Sequence, residues 1–255
     1  MTHDSNLTPY LLLLGVGAGA GLINSVAGGG SFLTFPALVF LGVPSVIANA
    51  TSTVALFPGV FASAWAYRED FQRLEKIALK PAVIVSIGGG LAGALLLLFT
   101  AQGTFDAVLP WILLMATAAL AFGPKVSRIL NNRFRLSSGT LIAFQFLVAI
   151  YGGYFGGAVG FIMLAVWSMA GVRDVHAMNA GRTLLGGVMN AAAVVCFVIA
   201  GKVWWMQSAV LLVSAIAGGY AGARFARRVN PAFIRILIIA IGMAVTIAFF
   251  VRRGR

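Results

Sequence analysis

Few side chains in this 255-residue chain could carry out covalent or metal chemistry, and those few are scattered. His3 and His176 are the only histidines and Cys196 is the only cysteine. An internal disulfide and a zinc-type cluster therefore lack their parts, and no His stands near a Ser or Cys in a nucleophile pattern. The six acidic residues, Asp4, Glu69, Asp70, Glu75, Asp106 and Asp174, fall in the N-terminal tail, in polar stretches or at the ends of apolar runs. None sits in the middle of a run, which argues against paired-carboxylate catalysis and against carboxylate cation sites at depth. An enzyme is not expected, and no metal or cofactor is implied.

The chemistry that remains is recognition of a solute. Arg182 lies shortly after Asp174, where an apolar run begins. A guanidinium in a low dielectric is costly unless paired, and its planar fork suits the oxygens of a sulfite, sulfonate, carboxylate or phosphate. Snorkelling to the membrane interface or pairing with Asp174 is the alternative. Asn24, Ser25, Ser31, Asn49, Thr51, Ser52, Asn179, Thr183 and Asn190 add neutral hydrogen-bonding groups beside glycine clusters or early in the runs that follow. Any single Ser or Thr can instead bond back to its own helix. The candidate solute-binding residues are Asn24, Ser31, Asn49, Thr51, Asn179, Arg182 and Asn190. Gly28, Gly29, Gly30, Gly156 and Gly157 are candidate backbone breaks, where a half-helix would aim unpaired N–H groups and a positive dipole end at an anion.

The elements that must position these groups follow from composition. The chain is 60% hydrophobic and 9% charged, against roughly a quarter charged in soluble domains. Apolar runs extend over about 9–41, 46–67, 79–100, 105–123, 138–170, 178–200, 203–225 and 232–251. About 20 apolar residues are needed to cross ~30 Å of hydrocarbon as a helix, and the alternating pattern of a barrel is missing. The lipid bilayer is thus the expected partner. The net charge of +12 sits between runs and at the chain end, as in cytoplasmic loops rather than a nucleic-acid surface, and no nucleic-acid partner is expected. Leu11 to Leu14 followed by Ala18 and Ala20 has the look of a signal peptide, but the segment carries Asp4 and no leading Lys or Arg.

The first and fifth runs are too long for one upright crossing and too short for two, and each holds a central glycine cluster: Gly28 to Gly30 in one, and Gly152, Gly153, Gly156, Gly157 and Gly160 in the other. Glycine tolerates unusual backbone angles and weakens a helix by about 1 kcal/mol relative to Ala. A break at membrane depth has to be packed in protein or line a cavity. Shifting the sequence by 129 places puts Gly42 and Val43 on Gly171 and Val172, and Gly89, Gly90 and Gly93 on Gly218, Gly219 and Gly222. One further residue of slippage puts Asn49 on Asn179 and Thr53 on Thr183. The expected fold is an all-α integral membrane protein built from two repeats, each a glycine-broken helical hairpin plus three transmembrane helices, with inversion of one repeat against the other preferred. The expected segments are an N-terminal tail (1–8), a first repeat (9–123), a basic linker (124–137), a second repeat (138–251) and a C-terminal tail (252–255). The four-residue spacing of Gly89 and Gly93, and of Gly218 and Gly222, predicts close helix packing inside the bundle, with a homodimer seam as the other use of the same pattern.

The stretch from Gly19 through Gly28, Gly29, Gly30, Ser31 and Phe32 to Pro36, and on through Gly42, Val43 and Pro44 to Asn49 and Thr51, resembles the first half of the TauE/SafE family of sulfite exporters. Met178, Asn179, Ala180, Gly181, Arg182 and Thr183, leading to Asn190 and Trp204, resemble its second half. The likeness spans residues from about 10 to 250. It implies a secondary transporter in the bacterial inner membrane that moves sulfite, sulfoacetate or a related organosulfur anion by alternating access. The chain differs in the aromatic residues Tyr151, Tyr154 and Phe155 within its second glycine cluster and in having Arg182 as the basic residue.

Overall fold

The computed structural model describes residues 7–26, 29–66, 68–69, 78–131, 137–169, 175–225 and 231–253. Gly28 and Asp174 lie outside these, as do the side chains of Ser25 and His176. Among the described residues there are ten α-helices and no strand: α1 (Thr8–Val26), α2 (Ser31–Phe40), α3 (Ser45–Ala66), α4 (Leu79–Phe99), α5 (Gln102–Asn131), α6 (Ser138–Tyr154), α7 (Val159–Met169), α8 (Val175–Ile199), α9 (Trp205–Phe225) and α10 (Pro231–Arg253). The chain is an all-α membrane protein. Four stretches are long and apolar enough to cross a membrane, Leu79–Phe99, Gln102–Gly123, Ala177–Ile199 and Arg235–Arg252, and the remaining helices are shorter but apolar. Their outer faces carry side chains that water would not tolerate in such number, for example Phe99 at 85% and Ile84 at 68% exposure.

Both oversized runs are divided in two, and α1 with α2 turns back on itself. Gly30 lies so close to Ala20 and Asn24 that a Cβ would stand 2.7 Å from the Ala20 carbonyl oxygen, and Leu33 packs on Gly19. Helix α2 ends in a Schellman turn: Val43 N–H bonds Leu38 O and Gly42 N–H bonds Val39 O, both at 3.0 Å. This geometry needs the left-handed φ of +87° that Gly42 supplies. Helix α5 continues through Pro124 to Asn131, into the stretch expected to be a linker.

Glycine decides which helices touch. Gly17 and Gly21 of α1 face Ser214 and Ala215 of α9, while Gly89 and Gly93 of α4 face Phe146, Ala149 and Ile150 of α6. In both pairs the residue numbers rise together, so the partners run parallel. Helix α4 leads away from the end at which α3 and α5 finish and α6 begins, here called the loop end, whereas α9 leads toward it. The α1–α2 hairpin therefore enters from the opposite end and the α6–α7 hairpin from this loop end. Helix α1 packs on α9 and α6 on α4, α2 contacts α10 and α7 contacts α5, and α3 lies against α8 and α5 against α10. Neutral hydrogen bonds tie the interior where lipid cannot reach, Thr34 to Ser52 at 2.6 Å and Gln145 to Ser86 at 2.9 Å.

Candidate functional site

The two hairpin tips meet at one cavity of about 140 Å³. Gly29 and Ser31 line it from the start of α2, and Gly156, Ala158, Val159 and Gly160 from the start of α7. Two half-helix N-termini thus open onto the same space. Breaking the second hairpin takes two left-handed residues, Gly156 at φ +76° and Ala158 at φ +58°. The second is unusual, because a Cβ in this region costs roughly 1–2 kcal/mol. Tyr151 Oη donates to the Gly157 carbonyl at 2.6 Å and holds the turn.

The other walls are one stripe each of α3 and α8. Ser52, Leu56, Gly59, Val60 and Ser63 recur at helical spacing on α3, and Arg182, Thr183, Gly186 and Asn190 do so on α8. Gly59 and Ser63 lie in the last two turns of α3 and Arg182 early in α8, so the cavity leads toward the loop end. Arg182 is seated by its neighbours. A Cβ on Gly160 would stand 2.7 Å from Arg182 Cδ, and the guanidinium carbon lies 6.0 Å from the centre of the Phe161 ring, within cation–π range. Among the described residues that line the cavity none is acidic.

Of the seven residues expected from sequence to contact a solute, Asn24, Ser31, Arg182 and Asn190 line this cavity together. Asn24 also closes the first hairpin, since its Oδ1 accepts the Gly30 N–H at 2.8 Å. Asn49, Thr51 and Asn179 are not among the lining residues. Asn49 is buried and donates through Nδ2 to the Tyr154 carbonyl at 2.9 Å, fastening α3 to the second tip. Thr51 Oγ1 accepts the Trp204 N–H at 3.1 Å. The Asn179 carbonyl takes the Thr183 hydroxyl at 3.0 Å within α8. Gly29 and Gly156 line the cavity, and Gly30 and Gly157 make the close approaches of the two tips. Sequence reasoning missed Thr53, Ser63, Gly160 and Phe161 as cavity residues; the i, i+4, i+7 stripe on α3 was the available signal, but it required knowing which face of α3 points inward.

The sequence profile of the family described as sulfite exporter TauE/SafE matches residues 13–249, nearly the whole chain. The chain belongs to the TauE/SafE family. Relatives in this family include the "Probable membrane transporter protein YfcA" of Escherichia coli strain K12, 29% identical over 245 residues that cover 92% of this chain and 88% of the relative. The "Probable membrane transporter protein ORF9" of a Sinorhizobium species is 30% identical over 240 residues, covering 89% and 87%. A "Probable membrane transporter protein" of Haemophilus influenzae is 27% identical over 251 residues and covers 95% of each chain. As a TauE/SafE member with this helical content, the chain is a multi-pass membrane transporter of the bacterial inner membrane, handling a small solute.

Proposed function

We propose that the cavity between the hairpin tips binds a small anion, sulfite or a short organosulfonate such as sulfoacetate, and that the protein moves it by alternating access. The observation that carries this reading is the set of charges around the cavity: Arg182 and the N-termini of α2 and α7 on its walls, with no acidic residue among the described lining. Each half-helix start contributes roughly half a positive charge, and Asn190, Asn24 and Ser31 offer groups that can replace the water shell of an oxyanion. A cavity near 150 Å³ holds a molecule of about six heavy atoms, so a volume of about 140 Å³ suits a solute of this size. The mouth adjoins the end that carries Arg68 after α3, Lys80 in the first turn of α4 and Lys125 in the last turns of α5, and the positive-inside rule favours the cytoplasm for that end. In this reading the halves 9–123 and 138–251 form an inverted repeat.

The test is sulfite flux in proteoliposomes. Arg182→Gln, recovered folded and inserted, is expected to lose saturable and counter-transportable flux. Wild-type affinity and turnover in that variant would overturn the assignment of the anion to this cavity.

A further inference from the structure

Beyond the hairpin tips, on the side away from the cavity mouth, aromatic rings cross the protein in two rows. Phe155, a cavity residue, meets Phe35 edge-on at 5.6 Å between ring centres, and Phe35 stacks on Phe249 at 6.0 Å. Beside them the Tyr154 ring lies 5.7 Å from Phe105. Phe155, Phe35 and Phe105 are 4%, 1% and 0% exposed, so no water-filled passage runs between them. Past the rows lies a second cavity of about 340 Å³, walled by Ser45, Gln102, Asp106, Phe249 and Arg252. Its lining mixes apolar residues such as Val43 and Phe249 with a hydrogen-bonded polar cluster. Ser45 Oγ and Gln102 Nε2 both donate to Asp106, and Gln102 Oε1 accepts the Val46 N–H at 3.3 Å. At ~30 Å³ per water this space holds about ten.

We propose that the two cavities are the inner and outer portions of one translocation path, and that the Phe155 ring is the gate between them. Phe155 is the residue that both lines the first cavity and touches the ring row. It also sits outside regular helix, at φ −133° directly before the left-handed Gly156. Its ring can therefore turn aside through the hairpin tip without unwinding α6, whereas Phe35 is held inside α2. Gly157 leaves the ring its resting place, since a Cβ there would stand 2.5 Å from Phe155 Cε1. Asn49, which does not line the inner cavity, supports the same barrier by anchoring the Tyr154 carbonyl. Opening toward the outer cavity requires the tip to withdraw, and the Ser45, Gln102, Asp106 and Arg252 side of the outer cavity offers polar groups to a hydrated solute.

The inference rests on the transport reading above, but its test needs no transported anion. In a Cys196→Ser background, Thr53→Cys places one thiol in the inner cavity. A membrane-impermeant thiol reagent is then applied to right-side-out and inside-out vesicles. With Phe155 in place, labelling is expected from the mouth face and slow from the Arg252 face. Phe155→Ala is expected to speed labelling from the Arg252 face by roughly tenfold or more, the equivalent of about 1.4 kcal/mol in barrier height. If the Ala variant does not reach the membrane folded, Phe155→Leu, which keeps most of the apolar volume but removes the ring edge, gives the same readout. Unchanged labelling from the Arg252 face in a folded variant, or equally fast labelling from that face with Phe155 intact, overturns the proposal. A gated labelling pattern in a protein that shows no sulfite flux would count against the anion alone. Normal sulfite flux with unchanged labelling would count against the gate alone.

Discussion

Gly89 offers a direct measure of how far close helix approach stabilises the bundle. A Cβ at this position would stand 2.6 Å from Ala149 Cβ and 2.7 Å from the Phe146 carbonyl oxygen of α6. Contacts become ordinary only at 3.4 Å, so Gly89→Ala falls short by 0.8 Å and 0.7 Å, and the obstacle is backbone as well as side chain. On the neighbouring Gly90 a Cβ would stand 2.6 Å from the Met189 carbonyl oxygen of α8, so α4 is closely backed on that side as well. Overpacking of this kind costs about 1–3 kcal/mol, against a helix-propensity gain of up to about 1 kcal/mol for replacing Gly by Ala. A net loss is expected, and at about 2–4 °C per kcal/mol it lowers the melting temperature by several degrees. Unfolding can be followed with a thiol-reactive fluorophore that reports exposure of Cys196, the only cysteine and partly buried in α8. The matched control is Gly15→Ala on the exposed face of α1, where a Cβ meets nothing within 4 Å, and it is expected to melt at or above wild type. If Gly89→Ala melts with the wild type, or Gly15→Ala falls as far as Gly89→Ala, backbone contact along α4 and α6 does not determine stability and the packing argument fails.

Arg235→Met is expected to lower thermal stability by about 1–3 kcal/mol, the cost of stranding a buried acceptor. Pro124 has no N–H, which leaves the Leu120 carbonyl without its helical donor, and Arg235 replaces it through Nε at 3.0 Å and Nη2 at 2.9 Å; loss of no more than a few tenths of a kcal/mol in a melt would disprove that role. At Ala158 the usual ranking of buried substitutions should invert: Ala158→Gly is expected to be near neutral, because relief of the left-handed strain offsets the lost methyl, while Ala158→Val is expected to cost more than about 2 kcal/mol. Equal tolerance of both in expression and melting would show that the tip does not hold φ +58°.

The element map was legible in sequence because membrane helices advertise themselves by length and apolarity. Each of the eight apolar runs appears as one helix or, at the two glycine clusters, as a broken pair. The close approaches at Gly89, Gly93 and Gly218 were legible too, and they fall inside the bundle. What the sequence did not disclose is how each helix is rotated about its own axis. Helix α3 is apolar or small on every face, so nothing in its pattern separates the cavity stripe of Ser52, Leu56 and Ser63 from the side that carries Asn49 and Thr51. Those two were weighed for their hydrogen-bonding groups; Asn49 Nδ2 donates to the Tyr154 carbonyl and Thr51 Oγ1 accepts the Trp204 N–H. Arg182 was recognisable as an unusual charge, but the Gly160 and Phe161 seat that fixes its position comes from another helix. The pairing of Asp106 with Ser45 across 61 residues was equally out of reach.

The two glycine seams also restrict how such a transporter can move. Along α1 and α9, and along α4 and α6, backbone rests on backbone: Gly218 against the Ala18 carbonyl, Gly93 against the Ile150 carbonyl and Gly153 against the Gly90 carbonyl. Close-packed surfaces of this kind do not slide by fractions of an ångström without losing contacts along their length. Each hairpin's long arm is therefore bound along its length to another helix, α1 to α9 and α6 to α4, and should travel with it. The freedom left for the proposed alternating access lies where side chains rather than backbones meet and where helix is interrupted. Those places are the α3–α8 contact, where a Cβ on Gly187 would still be 3.9 Å from Val60, and the two tips. The tips are also where the cavity, Arg182 and Phe155 converge. Proposed binding and proposed gating thus fall on the same short stretches of non-helical backbone, and a solute that draws the N-termini of α2 and α7 toward it acts directly on the segment that must move.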